Sequence, residues 1–326
     1  MRISRLLPAL CLSALLSGVA ALAQSSGSAT SAPVWLYRSP SNVPTPRSYV
    51  TMTYDAVSQR VILFGGYNGR SYLNGTWTYD GTTWRRAFTS LAPSPRANAQ
   101  MAYDRISRKV VLFGGYNGTS YLRDTWLWDG ATSKWTQAAP AHSPPAVTGP
   151  MLFTDPNGKV DEFGGYDGSR YQGTMWRWTG TDWRRLQLPT LPYARSSAGV
   201  GFNPSLNQVV MFGGLADVNP VNTWTYDGTT WTLQSVSTQP RWVYASCAAF
   251  DSSLQAVVLF GGGSGGIDQN STWAWTGAHW RHLFPTQSPP AREGAGMAYD
   301  EALGHVILFG GQNGNVLLND TWELRP

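Results

Sequence analysis

The chain has 326 residues, with 24 Lys and Arg against 19 Asp and Glu for a formal net charge of +5, and 42% of it is hydrophobic. So mild a charge, without a long basic run, excludes the composition of a nucleic-acid or anionic-membrane binder. Two cysteines are too few for a disulfide scaffold, so stability must come from core burial, for which this length is ample.

Arg2 and Arg5 precede an apolar stretch from Leu6 to Leu22 that ends in Ala21-Leu22-Ala23. That order predicts a secretory signal peptide over residues 1–23, and hence a secreted or periplasmic mature protein. Cleavage would take the charge to +3 and leave Cys247 as the sole cysteine, so no disulfide could form within one mature chain. Cys11 follows Leu10 rather than a small residue and reads as part of the leader, not a lipid anchor. No other segment is apolar enough to span a membrane. Residues 24–33 (QSSGSATSAP) have nothing to bury and predict a flexible linker, so the organised domain is expected over 34–326.

Within that domain Phe64, Phe113, Phe163, Phe212, Phe260 and Phe309 each end a hydrophobic run and begin Phe-Gly-Gly, at separations of 49, 50, 49, 48 and 49 residues. A period near fifty with four short strand signals per unit predicts an all-β, six-bladed β-propeller. In the first copy, Pro46-Arg47 leads to a small, β-prone inner strand from Ser48 to Tyr54. Arg60 to Phe64 is apolar on both faces, as a strand between two neighbouring blades requires. Thr76 to Tyr79 is the third strand, Asp80-Gly81 the hairpin, and Trp84 opens the outer strand.

The third-strand series runs Trp77, Trp126, Trp176, Trp224, Trp273 and Trp322, and after Trp322 only four residues follow. The last blade therefore lacks an outer strand of its own. Trp35 precedes Trp84 by 49 residues, so Val34 to Arg38 is expected to pair with the last blade and close the ring.

The Phe-Gly-Gly pairs, the spaced tryptophans and the Pro-Arg openings resemble the kelch repeat, over Val34 to Pro326. The resemblance implies a propeller. Its members include galactose oxidase, a periplasmic sialic acid mutarotase and adaptor domains that bind acidic peptides, and the Tyr-Asp-Gly-Thr-Thr-Trp hairpins are also similar to secreted bacterial kelch proteins. Fold alone does not choose among these roles.

Four features of the repeat array are candidate sites. The Pro-Arg openings place Arg47, Arg96, Arg195, Arg241 and Arg292 at one channel mouth, with Ala146 breaking the series. Such a ring would suit carboxylates or a sugar acid, though recurrence in five of six blades favours hydrogen bonds to loop carbonyls. The loops after Gly-Gly are aromatic on one side only: Tyr67, Tyr116, Tyr166, Tyr72, Tyr121 and Tyr171 in blades one to three, against Leu215, Gly263 and Gln312 in the others. These tyrosines could stack on sugar rings, or simply pack their own loops. In the fifth blade the interval from Arg241 to Asp251 exceeds that from Arg47 to Asp55, beside Trp242 and Tyr244, an enlarged crossing segment that could wall a pocket or be a loop insertion without function.

The third blade carries Asp161 and Glu162 in a strand expected to be buried, with Arg177 one strand over; an Arg177 ion pair is the simple account and a carboxylate poised for proton transfer the sharper one. Arg85-Arg86, Arg184-Arg185 and Arg281-His282 mark outer edges that charge protects from pairing. His142, His279, His282 and His305 fall on separate elements, so the copper oxidase chemistry of galactose oxidase is rejected, and no metal or cofactor is expected. The function expected is a secreted binding module for glycans or acidic protein segments at one mouth, without nucleic-acid or membrane partners. The rival is a sugar-acid mutarotase resembling the sialic acid enzyme, with Glu293 as its carboxylate, and a third class is a purely architectural surface protein.

Overall fold

A computed structural model of the chain describes residues 33–218 and 220–325; the predicted leader and all of the linker but Pro33 lie outside the described residues. Six four-stranded antiparallel sheets are arranged in a ring, and no helix occurs among the described residues. In the first blade the order is Thr51–Asp55, Arg60–Phe64, Thr76–Tyr79 and Trp84–Ala87, from axis to rim. The inner strands of successive blades touch all the way round, the first against the sixth included.

The sixth blade is built from Gly296–Asp300, His305–Phe309 and Thr321–Arg325, with Val34–Arg38 as its outer strand. Trp35 stands opposite Leu324 and Tyr37 opposite Trp322, so the first and last strands of the propeller share one sheet. The seam carries a charge clasp as well. Glu323 is 2% exposed and accepts from Arg38 of the N-terminal strand and from Arg325 Nε at 2.9 Å, while His305 Nδ1 lies 2.5 Å away. A carboxylate that deep is tolerable because cations surround it.

The second strands carry the core. Val61 and Leu63 pack toward the sixth blade against Ile307 and Phe309, whereas Ile62 and Phe64 pack toward the second blade. Both faces are thus buried, which is why these runs do not alternate apolar with polar. Each outer-strand Trp is buried and reaches back to the blade before it. Trp84 Nε1 donates to Thr321 Oγ1 at 3.0 Å, Trp135 to Thr76 at 2.8 Å, Trp183 to Thr125 at 2.8 Å and Trp280 to Thr223 at 2.8 Å. Trp35 donates to Thr272 at 3.1 Å, the same bond made by a strand from the opposite end of the domain. Trp231 meets Met175 Sδ instead, because the third blade has Met where the others have Thr.

At the axis a second sixfold set appears. Tyr49, Asn98, Gly149, Ser197, Ala245 and Gly294 all have positive φ, between 50° and 63°. Each donates its N–H to the carbonyl of the member one blade back, from Asn98 to Tyr49 at 2.8 Å round to Tyr49 to Gly294 at 2.6 Å. Four non-glycine residues hold this left-handed conformation because the ring satisfies every N–H in it. At Gly149 a Cβ would strike the Ser197 hydroxyl, and Asn98 Nδ2 reaches over that glycine to Ser197 Oγ at 3.3 Å. This hydrogen-bonded iris constricts the channel at the loop face.

If the N-terminal strand is a full member of the ring, Trp35→Ala should cost about 3–5 kcal/mol, as much as Trp135→Ala in an ordinary blade. Denaturant unfolding of the two variants compares them; a much smaller loss for Trp35→Ala would mean that the strand does not close the ring.

Candidate functional site

The loop face gathers the crossing segments and the loops after Gly-Gly, and its register corrects the arginine series. The residue whose carbonyl accepts the N–H of a Gly in the preceding blade is Arg47, Arg96, Val147, Arg195, Val243 and Arg292 in turn. Arg241 is therefore not a member: it is exposed two residues earlier, and Val243 fills the place. The break in the third blade is likewise Val147 rather than Ala146. Each member follows its outer-strand Trp by twelve residues, a spacing that identifies the series where the Pro-Arg pair misleads. From Val243 to Asp251 the interval equals that from Arg47 to Asp55, so the fifth blade has no enlarged segment.

The four arginines in the series are buried structural groups. Nη1 of Arg47, Arg96, Arg195 and Arg292 donates to the carbonyls of Gly65, Gly114, Gly213 and Gly310, at 2.8 to 3.2 Å. Nε in each case donates to a carbonyl two residues back. Arg96 and Arg292 add two-pronged pairs to Asp124 and Asp320. Arg47 and Arg195 lack a carboxylate, and burial lowers both to about 10. None of the four forms an open ring of guanidinium groups at the surface.

The six tyrosines, in contrast, come together as one continuous arc. Within each loop the two rings lie 5.0 to 5.1 Å apart, as Tyr67–Tyr72, Tyr116–Tyr121 and Tyr166–Tyr171. Between loops Tyr72 meets Tyr116 edge-on at 5.7 Å, and Tyr121 meets Tyr166 at 6.0 Å. Gly118 and Gly168 make the junctions possible, since a Cβ at either would run into the Tyr72 or Tyr121 ring. All six rings are half-buried, and burial raises the hydroxyls of Tyr72, Tyr121 and Tyr171, which stay neutral donors. The Oδ1 atoms of Asn68, Asn117 and Asp167 accept from backbone N–H groups of their own loops. Arg70, Arg123 and Arg170 are exposed beside the arc.

Across the face, Glu293 stands where the other blades have Ser48, Ala97, Thr148, Ser196 and Tyr244. It is 7% exposed; its Oε1 accepts from Tyr49 Oη at 2.8 Å and Gln312 Nε2 at 2.9 Å, while Oε2 is buried without a partner. Gly263 leaves the room for it, because a Cβ there would strike both Glu293 Oε2 and the Tyr244 hydroxyl. Burial raises the Glu293 carboxyl above its ordinary range, against the bond from Tyr49. Tyr244 continues to Trp242 at 5.6 Å, whose indole donates to the Gly214 carbonyl at 2.7 Å. In the sequence this cluster is marked only by Glu293 standing beside Arg292.

The third-blade acids lie away from this face, inside the blade packing. Arg177 grips Asp161 with Nε and Nη2, both at 2.7 Å, and reaches Asp155 at 2.6 Å and Tyr226 of the fourth blade at 3.3 Å. The hydrogen bonds to Asp161 outweigh burial and hold the Arg177 pKa above its ordinary value. The expected ion pair is therefore present, and it ties two blades together. Glu162 has no such partner. It is 1% exposed, both carboxyl oxygens are unbonded, and burial pushes its pKa well above 4.5. Arg85, Arg86, Arg184, Arg185 and Arg281 are exposed on outer strands. The histidines stay apart: His142 pairs with Asp182, His282 stacks on Trp273, and His305 sits at the seam. No helix among the described residues is long and apolar enough to cross a membrane.

Residues 34–188 match the family model described as the KLHDC2/KLHL20/DRC7 Kelch-repeats domain. No curated protein matches the chain.

Glu162 occupies the slot of Leu63, Leu112, Met211, Leu259 and Leu308. Above the ordinary glutamate value of 4.5 an unfolded chain releases this proton while the folded chain keeps it, so stability falls as pH rises. Glu162→Leu should therefore melt higher than the native chain, with a gap that widens by up to about 1.4 kcal/mol per pH unit above that value. Thermal or denaturant unfolding at pH 5 and pH 7.5 measures it; a gap independent of pH would place an ionised Glu162 in the fold.

Proposed function

We propose that this six-bladed β-propeller, whose residues 34–188 match a kelch-repeat family model and whose fold is commonly used as an interaction module, is a secreted, non-catalytic binding module for glycans, held on the tyrosine arc of its loop face. Secretion is supported by the basic-then-apolar order of residues 1–23. The observation that carries the ligand reading is the arc itself. Six half-buried phenol rings in mutual contact, confined to blades one to three, form a preorganised aromatic strip with hydroxyls along it. Such a strip can stack on the apolar faces of successive sugar rings and hydrogen-bond their hydroxyls, and its rings have little freedom left to lose.

Acidic character in the ligand would be read by Arg70, Arg123 and Arg170 at the edge of the arc, not by the buried series. An acidic protein segment has those same three cations to meet. A glycan bearing acidic groups also uses the rings, and it is the ligand that both features favour.

A second reading, a sugar-acid mutarotase or epimerase-like enzyme, rests on one observation. Glu293 is a buried carboxyl with a raised pKa, two hydrogen-bonded partners and one unpartnered oxygen, as a proton-transfer group on this face would need.

On a glycan array the protein should retain a restricted set of ligands, and Tyr72→Ala and Tyr121→Ala should each weaken binding by about tenfold or more. Absence of any bound glycan, or binding that survives both changes, would overturn the proposal. For the second reading, NMR exchange between sialic acid anomers should be accelerated by the native chain and not by Glu293→Gln; an unaccelerated exchange removes it.

A further inference from the structure

We propose that the central channel is a separate binding site, for a small uncharged aryl compound that enters from the mouth opposite the tyrosine arc. The cavity measures about 460 Å³, within the range of small-molecule pockets, and the inner strands of all six blades line it. It is closed at one end. Its wall begins at Val50, Pro150, Ala198, Ser246 and Ala295, one residue beyond the hydrogen-bonded iris, and none of the six iris residues lines it. At the other end it runs out among the turn residues Arg105, Pro204 and Glu301, where a ligand can enter.

The wall sets the ligand chemistry. Its middle layer is Met52, Met101, Leu152, Val200, Ala248 and Met297, three thioethers among aliphatic groups, which favours the edge and face of an aromatic ring. Toward the open mouth five blades place an aromatic residue at one register position. On one side these are Tyr54, Tyr103 and Tyr299, on the other Phe202 and Phe250. The third blade has Thr154 there, its hydroxyl donating to the Tyr103 carbonyl at 2.7 Å. The entrance is thus half hydroxyl and half phenyl. Among the described residues lining the cavity, only Arg105 and Glu301 are charged; both are exposed at the rim, and Arg105 covers the Phe202 ring at 5.1 Å. An ion carried below that rim would find no countercharge and would lose its hydration, whereas an uncharged ring would not. Below the rim the polar groups are uncharged ones such as Thr53, Gln100 and Ser246, with no cation for an acidic glycan, so this site and the arc select different ligands.

Titration of the full chain with N-phenyl-1-naphthylamine, an uncharged aryl probe whose fluorescence rises in apolar surroundings, should saturate at one molecule per chain. Val200→Phe and Ala248→Phe, on neighbouring blades, should each weaken that binding about tenfold or more by filling the cavity, with Tyr72→Ala on the opposite face without effect. A merely water-filled channel would give no saturable signal, and that result, or unchanged binding in the folded variants, would overturn the proposal.

Discussion

Every blade is tied to its predecessor by one buried indole, and the domain holds together because six are supplied to six junctions by a chain that is linear. Five come in order. The sixth, Trp35, arrives from the start of the domain and makes with Thr272 the bond its equivalents make elsewhere, so no junction is left open. A ring of sheets with one unfastened blade would expose an outer edge and a face of the core at once. The Glu323 clasp lies at this seam and joins the two ends of the domain through Arg38 and Arg325.

Closure also decides where chemistry can occur. Once the inner strands are drawn together, six left-handed residues meet in a hydrogen-bonded iris and the loop face becomes a surface rather than a pore. Ligands on that face must be held by what the loops present. There the sixfold pattern is broken into a tyrosine half and a half centred on Glu293, and the broken symmetry distinguishes a site from a scaffold. The opposite mouth stays open, and the channel behind it has walls of different chemistry from either half of the loop face.

Repetition made the strands, the sixfold count and the offset closure legible, because each was a spacing that could be compared six times. The same ruler exposed Glu162 and Arg177 as anomalies, and the one-sided tyrosines. It fails at Arg241, where a Pro-Arg pair two residues out of register looks like a member of the series, whereas the twelve-residue spacing from the outer-strand Trp231 points to Val243. Glu293 was visible only as a neighbour of Arg292. Its burial among Tyr49, Tyr244 and Gln312 depends on a glycine in another blade, and residues in different repeats have no spacing that marks them as neighbours.

The amino-acid sequence by itself determined the all-β class, the number of blades, the four strands of the repeat to within a few residues and the pairing of the first strand with the last. These follow from local hydrophobic pattern and turn chemistry repeated at a fixed interval. Only the tertiary structure decided which side chains were free to act. It sank Arg47, Arg96, Arg195 and Arg292 onto carbonyls, joined three separate tyrosine pairs into one arc, left Glu293 with an unpartnered oxygen and closed one mouth of the channel. A side chain's availability depends on what other blades bring within about 3 Å of it, and curvature of the ring, which no single repeat encodes, sets that.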